Sequence, residues 1–269
     1  YRRRFGGLTL KIVILDAETV SQNDISFDLI TSQGETIING YTPNEMVAEK
    51  IGDADAVICN KCLITKEVFS KCPNLKYVGL FATGYNNIDL DAATKNGAVV
   101  CNVPSYSTNS VAQHTFAFIL NHFNKVADYA NTVKKGDWVN YKFFSYFYMP
   151  TGEISGRTLG IIGFGDIGRK VAELGKAFGM NVIAYSRTKN KVTEAGFKAV
   201  ELNELLKCSD VLTIHCPLND ETKELINKNT LEKMKKTALL VNTSRGGVIN
   251  EQDLTNALNN DVIAGACLD

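Results

Sequence analysis

Short, unbroken apolar runs punctuate the N-terminal part of the chain: Lys11-Ile-Val-Ile-Leu15, Ala56-Val-Ile-Cys59, Tyr77-Val-Gly-Leu80 and Ala98-Val-Val-Cys101. A run without polar alternation marks a strand covered on both faces, because a half-exposed strand shows a polar residue at every second position. Between the runs lie helical patterns such as Pro43–Ile51, where Thr42 stands to cap and Pro43 takes the first turn. This alternation predicts a parallel sheet flanked by helices. Near residue 102 the character changes. Ser110–Ala130 reads as one long helix, with Val111, Thr115, Phe118 and His122 at helical spacing, long enough to lead from one domain to another. From Thr158 a second series begins, with strands expected at Thr158–Gly163, Asn181–Ser186, Lys198–Val200, Asp210–His215, Thr237–Asn242 and Val262–Leu268. The expected fold class is α/β, with two doubly wound domains over residues 8–102 and 103–269.

Composition narrows the classes of function. Lys and Arg number 29 against 29 Asp and Glu, so the formal net charge is zero and no basic surplus attracts nucleic acid. Apolar stretches such as Ala238–Val241 fall far short of the about 20 residues that span a bilayer, so no membrane partner is expected. YRRRFGGLTL lacks the apolar core of a signal peptide, and Tyr1–Gly7 is set aside as a cloning remnant or an extension ahead of the first strand. Seven scattered Cys argue against a disulfide framework and fit a reducing cytoplasm. Cys59 and Cys62 form a single C-x-x-C, either a redox pair, half a zinc site, or two thiols at the end of a buried strand. With no second pair at zinc-ligand spacing, the last reading is favoured and no metal is expected.

Trp138–Pro150 holds seven of the 24 aromatic residues in thirteen positions. Such a loop lines a ligand cleft, packs at a subunit interface or covers its own core, and the first two are favoured because Tyr and Trp want one wet end.

The strongest chemical signal is Leu159-Gly-Ile-Ile-Gly163-Phe-Gly165-Asp-Ile-Gly168, which follows an apolar run and opens a helix with Ile167, Val171, Leu174 and Phe178 on one face. Gly163 permits the tight turn, Gly165 lets backbone N–H groups approach a pyrophosphate, and Gly168 lets helix and strand pack closely. The helix N-terminus then offers unpaired donors to the anion. At the end of the next strand a NAD site places an acid for the ribose diol. Here Ser186 and Arg187 stand instead, a pair better suited to a 2′-phosphate, so NADP(H) is favoured over NAD(H), with dual use left open. A third feature, Val241-Asn-Thr-Ser-Arg245-Gly-Gly247, follows another apolar strand. An Arg there presents a planar fork that grips a carboxylate and polarises a neighbouring carbonyl.

Together with His215-Cys-Pro-Leu218, Thr222 and Ala82-Thr-Gly-Tyr-Asn86-Asn-Ile-Asp89, these motifs resemble the D-isomer-specific 2-hydroxyacid dehydrogenases, nearest the glycerate dehydrogenase (hydroxypyruvate reductase) branch. The resemblance runs from Lys11 to Asp269. It implies a flavodoxin-like substrate domain (8–102), a Rossmann cofactor domain (103–269) and reversible hydride transfer between nicotinamide and a small 2-keto or 2-hydroxy acid, hydroxypyruvate/D-glycerate or glyoxylate. On that resemblance Arg245 is the catalytic arginine that binds the substrate carboxylate and keto oxygen, and the N–H groups of Gly84 and Tyr85 are further carboxylate contacts. Asp166 and Ile167 match the pyrophosphate turn, Cys216 and Pro217 lie along the cofactor ribose, Thr243 contacts cofactor, and Asp269 holds the nicotinamide carboxamide. The family is usually dimeric, so a homodimer is expected.

Reducing a ketone also needs a proton donor. The family supplies a His oriented by a Glu, both placed after the strand that ends at Asp269, whereas this sequence has His only at 114, 122 and 215. The expectation is therefore that the chain is most of a longer enzyme whose C-terminal segment is absent here. The rival reading is a non-enzymatic, dinucleotide-sensing scaffold like the family's corepressor members.

Overall fold

The unbroken apolar runs fold as strands whose successive side chains feed opposite faces of a sheet. The computed structural model describes residues 9–269, so the expectation for Tyr1–Gly7 lies outside the described residues. The chain divides into two compact units, the first ending at Tyr106 and the second spanning Ser107–Asp269.

In the first unit, β1 (Lys11–Ile14), β2 (Glu35–Ile38), β3 (Ala56–Cys59), β4 (Tyr77–Leu80) and β5 (Val99–Cys101) alternate with α1 (Asp28–Thr31), α2 (Val47–Ile51), α3 (Lys66–Lys71) and α4 (Leu90–Asn96). All pairs are parallel, in the order β2-β1-β3-β4-β5. This is the flavodoxin-like order, whose ligand crevice opens at the carboxyl ends of β1 and β3. Val13, Leu15, Val57, Val78 and Leu80 pack with Phe69 and Leu75 in its core. The edge strand β2 has no counterpart in the sequence reading: Ile37 and Ile38 stay exposed, so no burial pattern marks it. The cap assigned to Thr42 does not form. Its hydroxyl is buried and donates to Leu15 O at 2.6 Å, and a single 3₁₀ turn, Asn44–Met46, precedes α2.

In the second unit, α5 (Thr108–Asn124) and α6 (Val126–Lys134) precede β6 (Thr158–Ile162), α7 (Asp166–Ala177), β7 (Asn181–Tyr185), α8 (Lys189–Glu194) and β8 (Lys198–Ala199). The chain continues through α9 (Leu202–Cys208), β9 (Val211–Ile214), α10 (Lys228–Leu231), β10 (Leu239–Asn242), α11 (Glu251–Asn259) and β11 (Gly265–Leu268). The parallel order β11-β10-β9-β6-β7-β8 is the doubly wound Rossmann arrangement, with its switch point between β6 and β9. Ile162, Leu212, Ile214 and Leu240 feed the core shared with Leu205 and Leu206. Their neighbours Leu159, Ile161, Val211, Leu239 and Val241 feed the opposite core, with Phe116, Ile119 and Val171.

Two helical expectations are corrected. Ser110–Ala130 is not continuous: Lys125 takes a left-handed φ of +54°, its N–H bonding to Asn121 O, and α6 starts afresh with Asn121 Oδ1 accepting from Ala127 N–H. The buried stripes are also rotated from the expected faces, in α7 toward small residues, with Val171 retained and Ile167 and Leu174 partly buried against the core. In α5 they are Ala112, Thr115, Phe116, Ile119 and Phe123; in α7 they are Gly168, Val171, Ala172 and Gly175, while Phe178 lies exposed past the helix end. In α7 close approach to β6 is the cause, since a Cβ on Gly175 would stand 2.5 Å from Leu159 Cδ2.

Candidate active site

The glycine turn after β6 meets the carboxyl end of β9 backbone to backbone. Gly163 has φ +90°, and a Cβ there would stand 2.6 Å from Cys216 N and 2.7 Å from His215 C. Gly163 N–H also donates to Tyr185 O at 2.9 Å, which ties the turn to the end of β7. A Cβ on Gly168 would lie 2.1 Å from Gly163 O, so this glycine is demanded by the packing of α7 on its own turn. Gly165 is different. It is exposed, its φ of −85° is open to any residue, and a Cβ there would meet nothing within 4 Å. No fold requirement explains Gly165, whereas close passage of a pyrophosphate does. Asp166 and Ile167 form the first turn of α7, whose N–H groups project from a helix end with no side-chain cap. The turn therefore fits the phosphates of a dinucleotide.

Ser186 and Arg187 extend directly from β7 on the neighbouring strand. Ser186 Oγ accepts from Thr188 N–H at 3.3 Å, and the exposed Arg187 Nη1 donates to Glu221 Oε2 at 3.1 Å. Cys216 is half-buried and Pro217 exposed, in the segment that leaves β9 against Gly163. Burial raises the Cys216 thiol pKa, while the Arg187 charge pulls the other way.

At the end of β10 the buried Asn242 organises the turn that carries Arg245. Its Oδ1 accepts from Ser244 N–H at 3.0 Å and Ser244 Oγ–H at 2.7 Å, and its Nδ2 donates to Arg245 O at 3.0 Å. Arg245 itself is exposed and donates from Nη1 to Ser244 O at 2.8 Å. Thr243 Oγ1 lies 3.1 Å from Thr115 Oγ1 of α5. Asp269 N–H donates to Asn242 O at 3.1 Å, and its Oδ1 stands 3.8 Å from His114 Nε2. Every sequence-predicted residue of this unit thus falls at the carboxyl ends of β6, β7, β9, β10 and β11.

Gly84 and Tyr85 belong to the first unit, on the loop after β4. Thr83 holds that loop, its hydroxyl donating to Val103 O at 2.8 Å and its carbonyl accepting from Asn102 Nδ2 at 2.7 Å. Beside it, at the end of β1, the buried carboxylate of Asp16 accepts from the N–H groups of Asn60 (2.8 Å), Lys61 (2.6 Å) and Cys62 (3.2 Å). Asn87 Nδ2 grips the same loop from the acceptor side, donating to Cys62 O at 2.9 Å. Asp16, Asn87, Asn242 and Glu221 are not among the site residues expected from the sequence. Asp16 had a usable signal, being the first polar residue after the β1 run.

The histidines and cysteines can be judged by their surroundings. Burial pushes the His215 imidazole down to about 3, its Nε2 lies 2.9 Å from Thr213 Oγ1, and its buried Nδ1 has no partner. A ring held neutral in this way is no proton donor at neutral pH. His122 is lowered by burial and by the charges of Lys125 and Arg157, and it packs edge-on to Phe123. Burial, reinforced by the Asp16 charge, pushes the Cys62 thiol up to about 12 and Cys59 further still. Both therefore stay protonated, which makes them structural thiols rather than a redox pair. Among the described residues no group of three or more His, Cys, Asp or Glu is placed to hold a metal ion, and no helix is long and apolar enough to cross a membrane.

Known proteins resemble this chain in sequence and fold. The family profile described as "D-isomer specific 2-hydroxyacid dehydrogenase, NAD binding domain" matches residues 116–269. A hydroxypyruvate reductase of Blautia hydrogenotrophica is 40% identical over 264 residues, an alignment covering 97% of this chain and 82% of that protein. Among solved structures, an acyclic imino acid reductase in complex with NADPH and D-Arg superposes with a TM-score of 0.86 at 32% identity, covering 97% of this chain and 82% of that one. A D-lactate dehydrogenase from Aquifex aeolicus, complexed with NAD and lactic acid, gives 0.83 at 33% identity, covering 96% and 76%.

Proposed function

The chain belongs to the D-isomer specific 2-hydroxyacid dehydrogenases, and we propose that within this family it interconverts hydroxypyruvate and D-glycerate or acts on glyoxylate. It is an oxidoreductase that passes a hydride between a nicotinamide cofactor and a small 2-keto or 2-hydroxy acid. The choice of acid draws on the likeness to the Blautia hydroxypyruvate reductase. The observation that carries the reading is the Gly163 turn seated on His215 and Cys216, with the Asn242-clasped Arg245 turn at the end of the strand next to β9.

In this proposal the second unit is the cofactor domain. The N–H groups at the start of α7 take the pyrophosphate, with Gly165 leaving room for it, and Asp166, Ile167, Cys216, Pro217, Thr243 and Asp269 line the remainder. Bound nicotinamide supplies or accepts the hydride. Ser186 and Arg187 favour a 2′-phosphate, and hence NADP(H) over NAD(H), because a hydroxyl and a guanidinium complement an anion better than a bare diol. Arg245 grips the substrate carboxylate, polarises the keto oxygen and stabilises the charge that grows on it during reduction. Asn242 keeps that turn in register by holding the Ser244 amide and the Arg245 carbonyl. The first unit is the substrate domain, where Gly84 and Tyr85 offer N–H groups to the carboxylate and Asn60, Lys61 and Tyr85 select side-chain size. His215, held neutral by burial, does not supply the proton that completes the reduction.

Two further proposals concern the protein's setting. The seven cysteines are free, as a reducing cytoplasm would keep them. A homodimer fits the exposed aromatic loop, where Phe144 is 95% and Phe147 79% accessible. The decisive experiment follows NADPH and NADH oxidation by the full-length protein with a panel of 2-keto acids. Turnover of hydroxypyruvate or glyoxylate above the others is expected. Cofactor binding without turnover of any acid would sink the proposal and favour a binding scaffold.

A further inference from the structure

The end of β7 carries no acid for a ribose diol, yet one arrives from elsewhere in the fold. Glu221 lies on the turn after β9, and its carboxylate meets the Arg187 guanidinium at 3.1 Å. That turn is pinned through its backbone. Asn219 Oδ1 accepts from the N–H groups of Glu221 (3.0 Å) and Thr222 (3.1 Å), and Thr222 Oγ1 donates to Pro217 O at 2.6 Å. Both partners of the ion pair are largely exposed, 72% for Arg187 and 69% for Glu221, so water and salt screen it and a stronger anion can displace it. Lys189, two residues further along, is itself paired with Glu201, so Arg187 is not backed by a second uncompensated cation there.

We propose that Glu221 sets the choice between the two nicotinamide dinucleotides by acting as the counter-ion that a 2′-phosphate must displace from Arg187. The inference rests on the dinucleotide reading of the crevice and sharpens it. With a ribose diol the pair stays intact, and a carboxylate on this side of the site remains available as a hydroxyl acceptor. With a 2′-phosphate, Arg187 has to turn to the ligand while the Glu221 charge repels it. The result is a site of weakened NADP preference, set by a residue 34 positions from its partner rather than by the strand end alone.

The test compares the wild-type full-length protein with Glu221→Gln, Arg187→Ala and the double variant. Dissociation constants for NADPH and NADH are read by fluorescence, and those for 2′,5′-ADP and 5′-AMP by calorimetry, so that no turnover is needed. Glu221→Gln is expected to shift both affinity ratios toward the 2′-phosphorylated ligand by about three- to tenfold, the scale of removing one nearby unit charge in a screened site. The shift should shrink in the Arg187→Ala background. An unchanged or falling ratio would overturn the inference, as would a full shift that persists without Arg187, because bulk charge would then be the cause. Wild-type protein that binds none of the four ligands would remove the dinucleotide reading as well, whereas binding with an unmoved ratio removes this inference alone.

Discussion

Arg245 shows how much a side chain owes to the residue that holds its backbone. Its guanidinium is exposed and held only by one hydrogen bond to the Ser244 carbonyl, whereas its own carbonyl is fixed by Asn242 and the preceding amide by the same side chain. The planar fork is what a carboxylate and a keto oxygen need together, so charge alone does not suffice. Arg245→Lys should lower kcat by about tenfold or more and raise KM for the keto acid, since one donor geometry is lost from the transition state and from the ground state. Steady-state kinetics with hydroxypyruvate checks this, and full activity in the variant would remove Arg245 from the reaction. His215 makes a second prediction at this scale. Its folded value of about 3 lies below the ordinary 6.5, so between those limits the unfolded chain binds a proton that the folded chain does not. Stability therefore falls as the pH drops below about 6.5, by on the order of 2 kcal/mol at pH 5 from this residue alone. His122 acts in the same direction. Urea unfolding at pH 7.5 and pH 5 measures the slope, which should flatten in His215→Gln.

The strand–turn–helix element from β6 to α7 separates two reasons for glycine that look alike in the sequence. Gly168 is required by packing, because its Cβ would collide with the Gly163 carbonyl, while Gly165 has neither a strained φ nor a neighbour. Gly168→Ala should therefore lower the melting temperature by several degrees, as overpacking costs about 1–3 kcal/mol. Gly165→Ala should melt near the wild type in the absence of nucleotide and lose most of the stabilisation that added NADPH or NADH brings. Thermal scans with and without dinucleotide distinguish the two. Elements were legible where the apolar run was unbroken, even at the edge strand β5, whose Val99 and Cys101 stay exposed rather than buried on both faces as expected. β6, β9 and β10 stand within a residue or two of their expected spans, whereas β2 escaped notice because Glu35 and Thr36 leave only two apolar residues in its span. The break at Lys125 was equally hidden, since neither Gly nor Pro marks a turn there.

For the whole molecule, the two sheets have the two doubly wound strand orders, and each gathers its functional candidates at the carboxyl ends of its strands. The surface outside those edges carries its own signal in the aromatic loop. Tyr129, Tyr141, Tyr146 and Tyr148 cluster with ring centroids 4.9–6.3 Å apart and give the loop an internal brace, yet Phe143, Phe144 and Phe147 face water. Light scattering of the wild-type protein should give twice the mass of one chain, and Phe144→Asp with Phe147→Asp should shift it toward the monomer. A monomeric wild type would remove the dimer proposal.

Periodicity and local chemistry were enough for the α/β class, the glycine turn, the strand-end arginines and the family resemblance. All of these depend on residues close together in the chain, where spacing and side-chain type already carry the physics. Long-range pairing decided the rest. Asp16 meets the amides of Asn60, Lys61 and Cys62 across more than 40 residues, Thr115 meets Thr243 across 128, and Glu221 closes on Arg187 from another loop. A buried carboxylate, a hydroxyl pair or a counter-ion acquires its role from what the fold sets opposite it, and no pattern along the chain carries that information.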